Sequence, residues 1–264
     1  MDTGLKDKVA VVFAASRGLG YASALALAKE GCNLAICSRR QEAIDSAAAA
    51  IAKETGVKVL PVAVDVTQPE KIKSFAQEVE KTFGTVNILV NNSGGPTPGK
   101  FDQFTDTDFL AATELLLLNV VRCTKAFLPS MRKGGKGGRI LTITSLSTLE
   151  VHENLMLSNS LRSAVAAWSK TLARELATEN ILVNCVAPGR IDTERIEELV
   201  QKKAQESGLS PEKVKEQMLQ QMPLQRLGKP EEFGSTVAFL ASQQASYISG
   251  ITLYVDGAAS IAYS

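Results

Sequence analysis

Continuous apolar runs alternate with amphipathic stretches along this chain. The short runs are rich in Val and Ile, as in strands buried on both faces of a sheet. The longer stretches repeat apolar residues every three or four positions, as in helices. Strands are predicted at residues 9–14, 33–37, 57–64, 86–91, 139–145, 181–186 and 251–255. Helices are predicted at residues 21–30, 41–53, 69–83, 106–131, 158–178 and 231–241. Strands separated by helices predict right-handed crossovers and a parallel sheet, and hence an α/β fold.

A long insertion interrupts this alternation at residues 193–227. Within it, residues 194–206 have a helical pattern that ends near Gly208, and Ser210 followed by Pro211 predicts the start of a second helix. Long insertions in compact α/β domains are often lids, so we expect this segment to cover a substrate; a packed helical hairpin is the alternative. No linker divides the chain, so a single domain is predicted over residues 1–264.

Composition excludes several classes of function. The 264 residues carry a formal net charge of +1, which provides no basic field for nucleic acid. No apolar run approaches the ~18 residues of a membrane span, and no apolar signal region is found at the N-terminus. A cytoplasmic protein without a membrane partner is therefore expected. The cysteines at positions 32, 37, 123 and 185 show no C-x-x-C spacing and are expected to be reduced. No metal site is predicted.

The first predicted strand leads into a glycine turn and a helix, the arrangement that binds the pyrophosphate of a dinucleotide. Helix-terminal N–H groups and the helix dipole attract phosphate, and glycines let the backbone approach it. The turn consists of Ser16, Arg17, Gly18, Leu19 and Gly20. Ala14 stands where a further glycine is expected. Because six more strand–helix units follow, this turn predicts a dinucleotide site.

The end of the second strand indicates which dinucleotide binds. Sites for NAD place an acidic residue there to hold the ribose 2′-hydroxyl, whereas this chain has Ser38, Arg39 and Arg40. Two arginines at a helix N-terminus oppose the helix dipole, and a bound 2′-phosphate would reverse that penalty. Arg17 is expected to add a further cation. The pattern favours NADP(H); solvated loop arginines are the alternative.

Motifs are found along nearly the whole chain. They read AASRGLG at 14–20, VDVT at 64–67, NNSGG at 91–95, GRILTITS at 138–145, ILVNCVAPG at 181–189, RLGKPEE at 226–232 and VDG at 255–257. In these motifs the chain resembles the short-chain dehydrogenase/reductase family, and in overall pattern its 3-oxoacyl-(acyl-carrier-protein) reductases. The resemblance implies a Rossmann-type, doubly wound, seven-stranded parallel sheet with NADP(H) across the strand ends. It also implies a small-molecule carbonyl substrate, free or linked to acyl carrier protein, and a homodimer or homotetramer.

The same resemblance assigns cofactor contacts beyond the glycine turn. It gives Asp65 and Val66 to the adenine, Asn92 and Gly94 to the ribose side, and Ile191 and Thr193 to the nicotinamide amide. The expected cofactor set is completed by Pro188, Gly189 and Arg162.

The family's catalytic set is Asn, Ser, Tyr and Lys, and this chain departs from it at two positions. Asn119 and Ser145 match, but Ser158 stands in place of the tyrosine and Arg162 in place of the lysine. Serine is a far weaker acid than tyrosine, and arginine does not release a proton at neutral pH. The guanidinium fork can still hydrogen-bond the nicotinamide ribose. The alternatives are that Ser158 caps its helix and that Arg162 pairs with an acid.

Three functions are compatible with this substitution. In the first, which we expect, the protein reduces a carbonyl group: Ser145 and Ser158 polarise it, Arg162 stabilises the oxyanion, and water or the substrate supplies the proton. In the second, the protein binds NADP(H) without turnover, as a sensor or an inactive oligomer partner. In the third, it catalyses a non-redox lyase or hydratase step on the same scaffold.

Two loops are expected to form the substrate pocket. Gly95 and Pro96 follow the fourth strand, in a proline-stiffened loop at the carboxyl edge of the sheet; a structural turn is the alternative. The irregular segment after Ser145, where the family places substrate contacts, contributes Ser147, His152 and Glu153. His152 can donate a proton near neutral pH, with a solvent-exposed loop histidine as the alternative.

Overall fold

A seven-stranded parallel sheet forms the centre of the computed structural model, which describes residues 2–262. Its strand order is β3-β2-β1-β4-β5-β6-β7. The strands are β1 Val9–Val12, β2 Asn33–Ser38, β3 Val59–Ala63, β4 Ile88–Asn91, β5 Gly138–Ile143, β6 Ile181–Pro188 and β7 Thr252–Val255. Their mostly apolar sequences reflect burial on both faces. The doubly wound α/β fold expected from the sequence is confirmed.

Helices cover both faces of the sheet. They are α1 Gly18–Lys29, α2 Gln41–Thr55, α3 Pro69–Phe83, α4 Asp106–Thr113, α5 Asn119–Lys133, α6 Met156–Leu176, α7 Glu194–Ser207, α8 Pro211–Gln220 and α9 Pro230–Ala241. Apolar residues of α1, α2 and α9 pack on one face, and those of α3, α5 and α6 on the other. Among residues 2–262, no helix is long and apolar enough to cross a membrane.

The second face contains a cluster of three aromatic rings. Phe13, Phe75 and Phe127 are fully buried, with ring centroids 5.6 to 5.9 Å apart in edge-to-face arrangements. Burying each such side chain contributes roughly 1.5–3 kcal/mol. Phe13 directly follows β1, so this packing holds the start of the glycine turn against α3 and α5.

The chain reverses its direction across the sheet between β1 and β4. From β1 it builds outward to β3, then crosses back to β4 and continues to β7. The connections that follow β1 and β4 therefore cross on opposite faces of the sheet. This opens a crevice beyond the carboxyl ends of β1 and β4. This topology positions the candidate site.

The predicted helix at 106–131 is wrong as a single element. The structure has α4, then a π-helical stretch Glu114–Leu118, then α5. The apolar sequence LLLL runs through the π-helical stretch, so hydrophobic periodicity gives no sign of the wider turn. Such stretches are frequently found at functional sites, and Leu115 within this one lines the cleft described below.

The insertion at 193–227 forms α7 and α8 and has a small core of its own. Its buried residues are Ile196, Val200, Ala204, Val214, Met222 and Leu227. Gly208, at a φ of +69°, ends α7. The Ser210 hydroxyl accepts a hydrogen bond from the N–H of Lys213 at 3.3 Å, which confirms the predicted N-cap of α8. The insertion is thus a packed unit seated on the sheet's carboxyl edge.

All four cysteines are free and buried, as expected. Burial raises the pKa of the Cys32 thiol to about 12, so its reactive thiolate is disfavoured. These residues pack in the core.

Candidate functional site

A cleft of about 2030 Å³ lies along the carboxyl ends of six strands. Its walls include residues at or just after the ends of β1 to β6: Ala14, Ser38, Asp65, Asn92, Ser145 and Pro188. This is the crevice in which open α/β sheets bind their ligands. Its volume exceeds that of a typical small-molecule pocket, about 300–1,000 Å³, and so accommodates a dinucleotide together with a substrate.

The turn between β1 and α1 presents the N-terminus of a helix to this cleft. Gly18 has a φ of +59°, a conformation that favours glycine. A Cβ at Gly20 would clash with the carbonyl oxygen of Ala14, so helix and strand can approach this closely only at a glycine. Asn92 donates its side-chain N–H to the same carbonyl at 3.4 Å. The turn fits the pyrophosphate of a dinucleotide.

Ala14 occupies a backbone conformation that glycine would adopt more readily. Its φ is +48°, and a residue with a Cβ in the left-handed region costs roughly 1–2 kcal/mol. The strain lies at the edge of the cleft, since Ala14 is one of the lining residues.

The end of β2 brings two cations to one end of the cleft. Arg39 and Arg40 are exposed, line the cleft and form no ion pair with any residue of the described part. The Asp65 carboxylate lies nearby but accepts hydrogen bonds from the hydroxyl and N–H of Thr67, at 2.7 and 2.9 Å. These bonds, followed by the positive charge of Arg39, lower the pKa of Asp65. Both arginines are therefore available to an anionic ligand.

Arg17, in the glycine turn, reaches across to the insertion. Its guanidinium lies 3.5 Å from the carboxylate of Glu198 on α7, and both side chains are more than half exposed. Glu198 also lies 3.5 Å from Arg195 on the same helix. The cation expected to face a 2′-phosphate is thus held by a carboxylate of the insertion.

Ser145 stands just beyond β5 rather than within a strand as predicted. It is the N-cap of a short 3-10 turn, Leu146–Thr148, and its hydroxyl oxygen accepts a hydrogen bond from the N–H of Ser147 at 3.2 Å. Because this bond uses a lone pair, the hydroxyl proton stays free to be donated into the cleft that Ser145 lines.

Ser158 lies in the first turn of α6 and also lines the cleft. Its side chain is buried, and its hydroxyl lies 3.2 Å from the hydroxyl of Ser147. The alternative of a helix cap is wrong, because α6 begins at Met156, two residues earlier. The hydroxyl of Ser158 is therefore directed toward the hydroxyl of Ser147.

Arg162 lies one turn further along α6 and is only 8 % exposed. Its Nη1 donates a hydrogen bond of 2.7 Å to the carbonyl oxygen of Ile143, at the end of β5. Burial lowers the pKa of the guanidinium to about 10, which leaves it protonated at neutral pH. The alternative of an ion pair with an acid is wrong: among residues 2–262, no carboxylate lies within 4.0 Å of it.

The loop between β5 and α6 places His152 in the cleft wall. The Asn159 side chain donates to the carbonyl oxygen of His152 at 2.9 Å and accepts from its N–H at 3.4 Å. The imidazole, 34 % exposed, lies 3.9 Å from the carboxylate of Glu150. The N–H of Gly99 donates to the carbonyl oxygen of Asn154 at 2.7 Å, so this loop is fastened to the loop after β4. The two predicted substrate loops form one continuous wall.

Comparison with known proteins places this geometry in a family. A family model described as Enoyl-(Acyl carrier protein) reductase matches residues 13–260. Dehydrogenase/reductase SDR family member 4 from Oryctolagus cuniculus is 36% identical over 256 residues, covering 97% of this chain and 94% of that protein. This chain is a short-chain dehydrogenase/reductase.

Other members of the short-chain dehydrogenase/reductase family are similar along their whole length. The 3-oxoacyl-(acyl-carrier-protein) reductase FabG of Chlamydia muridarum is 32% identical over 257 residues, covering 97% of this chain and 99% of that one. The structure of L-sorbose reductase from Gluconobacter frateurii, complexed with NADPH and L-sorbose, has a TM-score of 0.93 and 33% identity. The alignment covers 97% of this chain and 98% of the sorbose reductase.

Most residues predicted for the site of this short-chain dehydrogenase/reductase line the cleft. Beyond those described above, they are Ser16, Leu19, Val66, Gly94, Gly95, Pro96, Glu153, Gly189, Ile191 and Thr193. Three predicted residues do not line it. Gly20, the last residue of the glycine turn, lies close to the carbonyl oxygen of Ala14. Asn119 is buried at the start of α5, where its side chain bonds to the carbonyl oxygen of Leu115 and to the thiol of Cys123. Ser147 is buried, with its hydroxyl 3.2 Å from that of Ser158.

Sequence reasoning missed several charged residues of the cleft. Nine Lys or Arg side chains and five Asp or Glu side chains line it, a net charge of +4 in a protein of net charge +1. The missed ones come from the loop after β4, the segment after β6 and the inner face of α7: Lys100, Arg190, Glu194, Arg195, Glu198, Lys202, Lys203 and Glu206. The signal available was the charged face of α7, opposite its buried Ile196 and Val200.

Proposed function

We propose that this protein is an NADP(H)-dependent oxidoreductase that reduces the carbonyl group of a small or medium-sized molecule. The observation that carries the proposal is the single cleft that joins Arg39 and Arg40 at one end to Ser145 and Arg162 at the other. One end suits the phosphorylated ribose of the cofactor, and the other offers hydrogen-bond donors and positive charge to a carbonyl oxygen.

The cofactor is NADP(H). Arg39 and Arg40 lie at the N-terminus of α2 with no acidic partner in the described residues, and the similar sorbose reductase was solved with NADPH. The glycine turn would hold the pyrophosphate, since Gly20 keeps the backbone of α1 close to β1. When bound, NADPH supplies the hydride that reduces the carbonyl carbon.

Ser145 and Arg162 would stabilise the carbonyl oxygen as it gains negative charge. Ser145 can donate its hydroxyl proton, because its oxygen already accepts from the N–H of Ser147. Arg162 provides a fixed positive charge, with its Nη1 anchored on Ile143. We assign Ser158 a smaller part than the sequence led us to expect, because its hydroxyl is directed toward Ser147. Donors oriented in advance toward a developing charge are usually the largest contribution to catalysis.

Reduction of a carbonyl to an alcohol needs one proton in addition to the hydride, and we assign it to His152. Neither Ser158 nor Arg162 can release a proton at neutral pH. His152 is the only histidine of the chain and lines the cleft. Its backbone is held by the Asn159 side chain, which fixes where the imidazole joins the cleft wall. A positioned general acid contributes about 10²–10⁴-fold to a rate.

The helices α7 and α8 are proposed to act as a lid. Charged residues of α7 line the cleft, while Ile196, Val200 and Ala204 pack in the insertion's own core. A unit with its own core can move as a whole without exposing the core of the sheet. The lid would exclude water from the reacting carbonyl.

A homodimer or homotetramer is the assembly we propose. Leu110 on α4, Phe239 on α9 and Tyr247 are large apolar side chains with substantial exposure in the single chain, and association would cover them. Light scattering of the purified protein tests this, and a monomer at micromolar concentration would refute it.

NADPH oxidation against a panel of ketones and a 3-oxoacyl thioester tests the proposed function. The expected result is turnover of at least one carbonyl compound, with stoichiometric formation of its alcohol. Tight NADPH binding without turnover of any substrate would refute the reductase proposal and indicate a redox-inactive NADP(H)-binding protein. That function is the second candidate because the catalytic tyrosine of the family is missing. Product formed without net oxidation of NADPH would indicate a lyase or hydratase.

A further inference from the structure

The guanidinium of Arg162 has one satisfied edge and one free edge. Only Nη1 is hydrogen-bonded within residues 2–262, to the carbonyl oxygen of Ile143. Nε and Nη2 form no hydrogen bond there, and neither is among the fully enclosed side-chain atoms that lack a partner. Both therefore face the cleft that Arg162 lines. The N–H groups of Nε and Nη2 are parallel, which is the fork that binds two oxygens of one carboxylate.

The protein itself supplies no counter-charge for this cation. An isolated charge in a low-dielectric site is destabilised by several kcal/mol unless it is paired, and burial lowers the pKa of Arg162 for the same reason. The acidic residues lining the cleft are Asp65, Glu153, Glu194, Glu198 and Glu206. None lies within 4.0 Å of Arg162, so a negative charge beside it would have to come with a ligand.

The cofactor does not provide that charge at this position. The pyrophosphate belongs at the N-terminus of α1 and the 2′-phosphate near Arg39 and Arg40. The part of NADPH expected near the catalytic positions is the dihydronicotinamide and its ribose, which are neutral. A ribose hydroxyl can accept a hydrogen bond from Arg162 but leaves its charge uncompensated. The substrate is the remaining source.

We infer that the substrate carries a carboxylate, held by the Nε and Nη2 edge of Arg162, so that the protein reduces an oxo acid in preference to a neutral ketone or a thioester. This rests on the proposed carbonyl reduction and specifies its substrate class. Ser145, which also lines the cleft, then receives the carbonyl oxygen next to the bound carboxylate. The usual family pattern has a lysine at this position, and its ammonium group is a single charge without a planar fork. The arginine of this chain presents two parallel N–H donors instead.

The test compares acids with their neutral isosteres. Pyruvate and phenylpyruvate are assayed beside their methyl esters and a 3-oxoacyl thioester, following NADPH oxidation by the full-length protein. We expect kcat/KM for the acids to exceed that for the esters by about 10²-fold, because the esters lose the charge-assisted bidentate contact with Arg162. In Arg162→Met this preference should vanish, and in Arg162→Lys part of it should remain. Arg174→Met, an exposed arginine on the same helix, is the matched control and should keep it.

A binding measurement that needs no turnover distinguishes the carboxylate site from the proposed reductase activity. Titration calorimetry with the NADP⁺ complex uses oxamate, an unreactive carboxylate, and oxamide, its neutral analogue. Oxamate binding that depends on Arg162 supports the carboxylate site even if no carbonyl compound is reduced. Equal kcat/KM for acids and esters in the wild type would overturn the carboxylate site and leave the reductase intact. Equal affinity for oxamate and oxamide would overturn it as well. Neither comparison in the wild type depends on whether a buried variant folds.

Discussion

The hydroxyl of Ser158 lies 3.2 Å from the hydroxyl of Ser147, and both side chains are buried. Ser158 occupies the position at which the family places its tyrosine and lines the cleft, yet its hydroxyl is engaged by a neighbouring serine. Ser145 also lines the cleft, and its hydroxyl donates no hydrogen bond within residues 2–262. The two serines at family catalytic positions are therefore not equivalent.

Replacing Ser158 with Ala should have little effect on turnover. The variant loses one buried hydrogen bond, which contributes about 0.5–1.5 kcal/mol to stability, and kcat should stay within about threefold of wild type. Ser145→Ala is the comparison variant and should lower kcat by about 10–100-fold, since it removes a donor to the carbonyl oxygen. Steady-state NADPH oxidation measures both. A larger loss in Ser158→Ala than in Ser145→Ala would reverse the assigned roles.

Replacing Ala14 with Gly should stabilise the protein. Relief of the left-handed strain is worth roughly 1–2 kcal/mol, and the added flexibility of glycine in the unfolded chain offsets about half of it. A net gain near ~1 kcal/mol corresponds to a rise in Tm of about 2 °C for a chain of this size. Thermal unfolding without ligand measures it. Ala15→Gly is the control and should lower Tm, because Ala15 is buried and has no positive φ.

Replacing Arg39 with Asp should change the cofactor preference. The carboxylate would repel the 2′-phosphate and could accept a hydrogen bond from a ribose 2′-hydroxyl. The Kd for NADPH should rise about 10–100-fold, as for loss of a charge-assisted contact, while that for NADH changes little. Fluorescence titration gives both constants, with Arg174→Asp as a control outside the cleft. Equal losses for the two cofactors would refute the role of Arg39.

Replacing Glu198 with Gln should strengthen NADPH binding by releasing Arg17. The exposed pair between Arg17 and Glu198 is worth at most about 1 kcal/mol, so Kd should fall no more than about fivefold. The effect should disappear at about 1 M salt, where the screening length is near 3 Å. Glu197→Gln, an exposed neighbour that does not line the cleft, is the matched control. An unchanged Kd at low salt would mean that Arg17 does not contact the cofactor.

Replacing His152 with Gln should lower kcat by about 10²-fold or more, the usual contribution of a positioned general acid. The dependence of kcat on pH should flatten at the same time, since a titrating general acid is removed. Imidazole added to the assay should restore part of the rate, which a purely structural effect of the substitution would not allow. Full activity with an unchanged pH profile would assign the proton to water.

Much of the fold could be predicted because burial leaves a pattern in sequence. Strands covered on both faces are nearly continuous apolar runs, so β1 to β7 were located, though their ends were displaced by one or two residues. Predictions of helix boundaries failed where the apolar pattern continues although the backbone geometry changes. The apolar residues Leu115 to Leu118 hide the π-helical stretch that separates α4 from α5. Met156 and Leu157 extend α6 ahead of its predicted start.

From the sequence, the motifs indicated the family by resemblance. Residue types and spacing predicted the parallel sheet, the glycine turn, the arginines after β2, and the placement of Ser145, Ser158 and Arg162 near one strand end. These follow from local chemistry and from distances along the chain. The folded chain sets which atoms meet: Ser158 faces Ser147, Arg17 reaches Glu198, and Arg162 bonds to Ile143 with its other edge unbonded within residues 2–262. Hydrogen bonds and ion pairs extend over about 3–4 Å, so their partners are set by packing between elements distant in sequence.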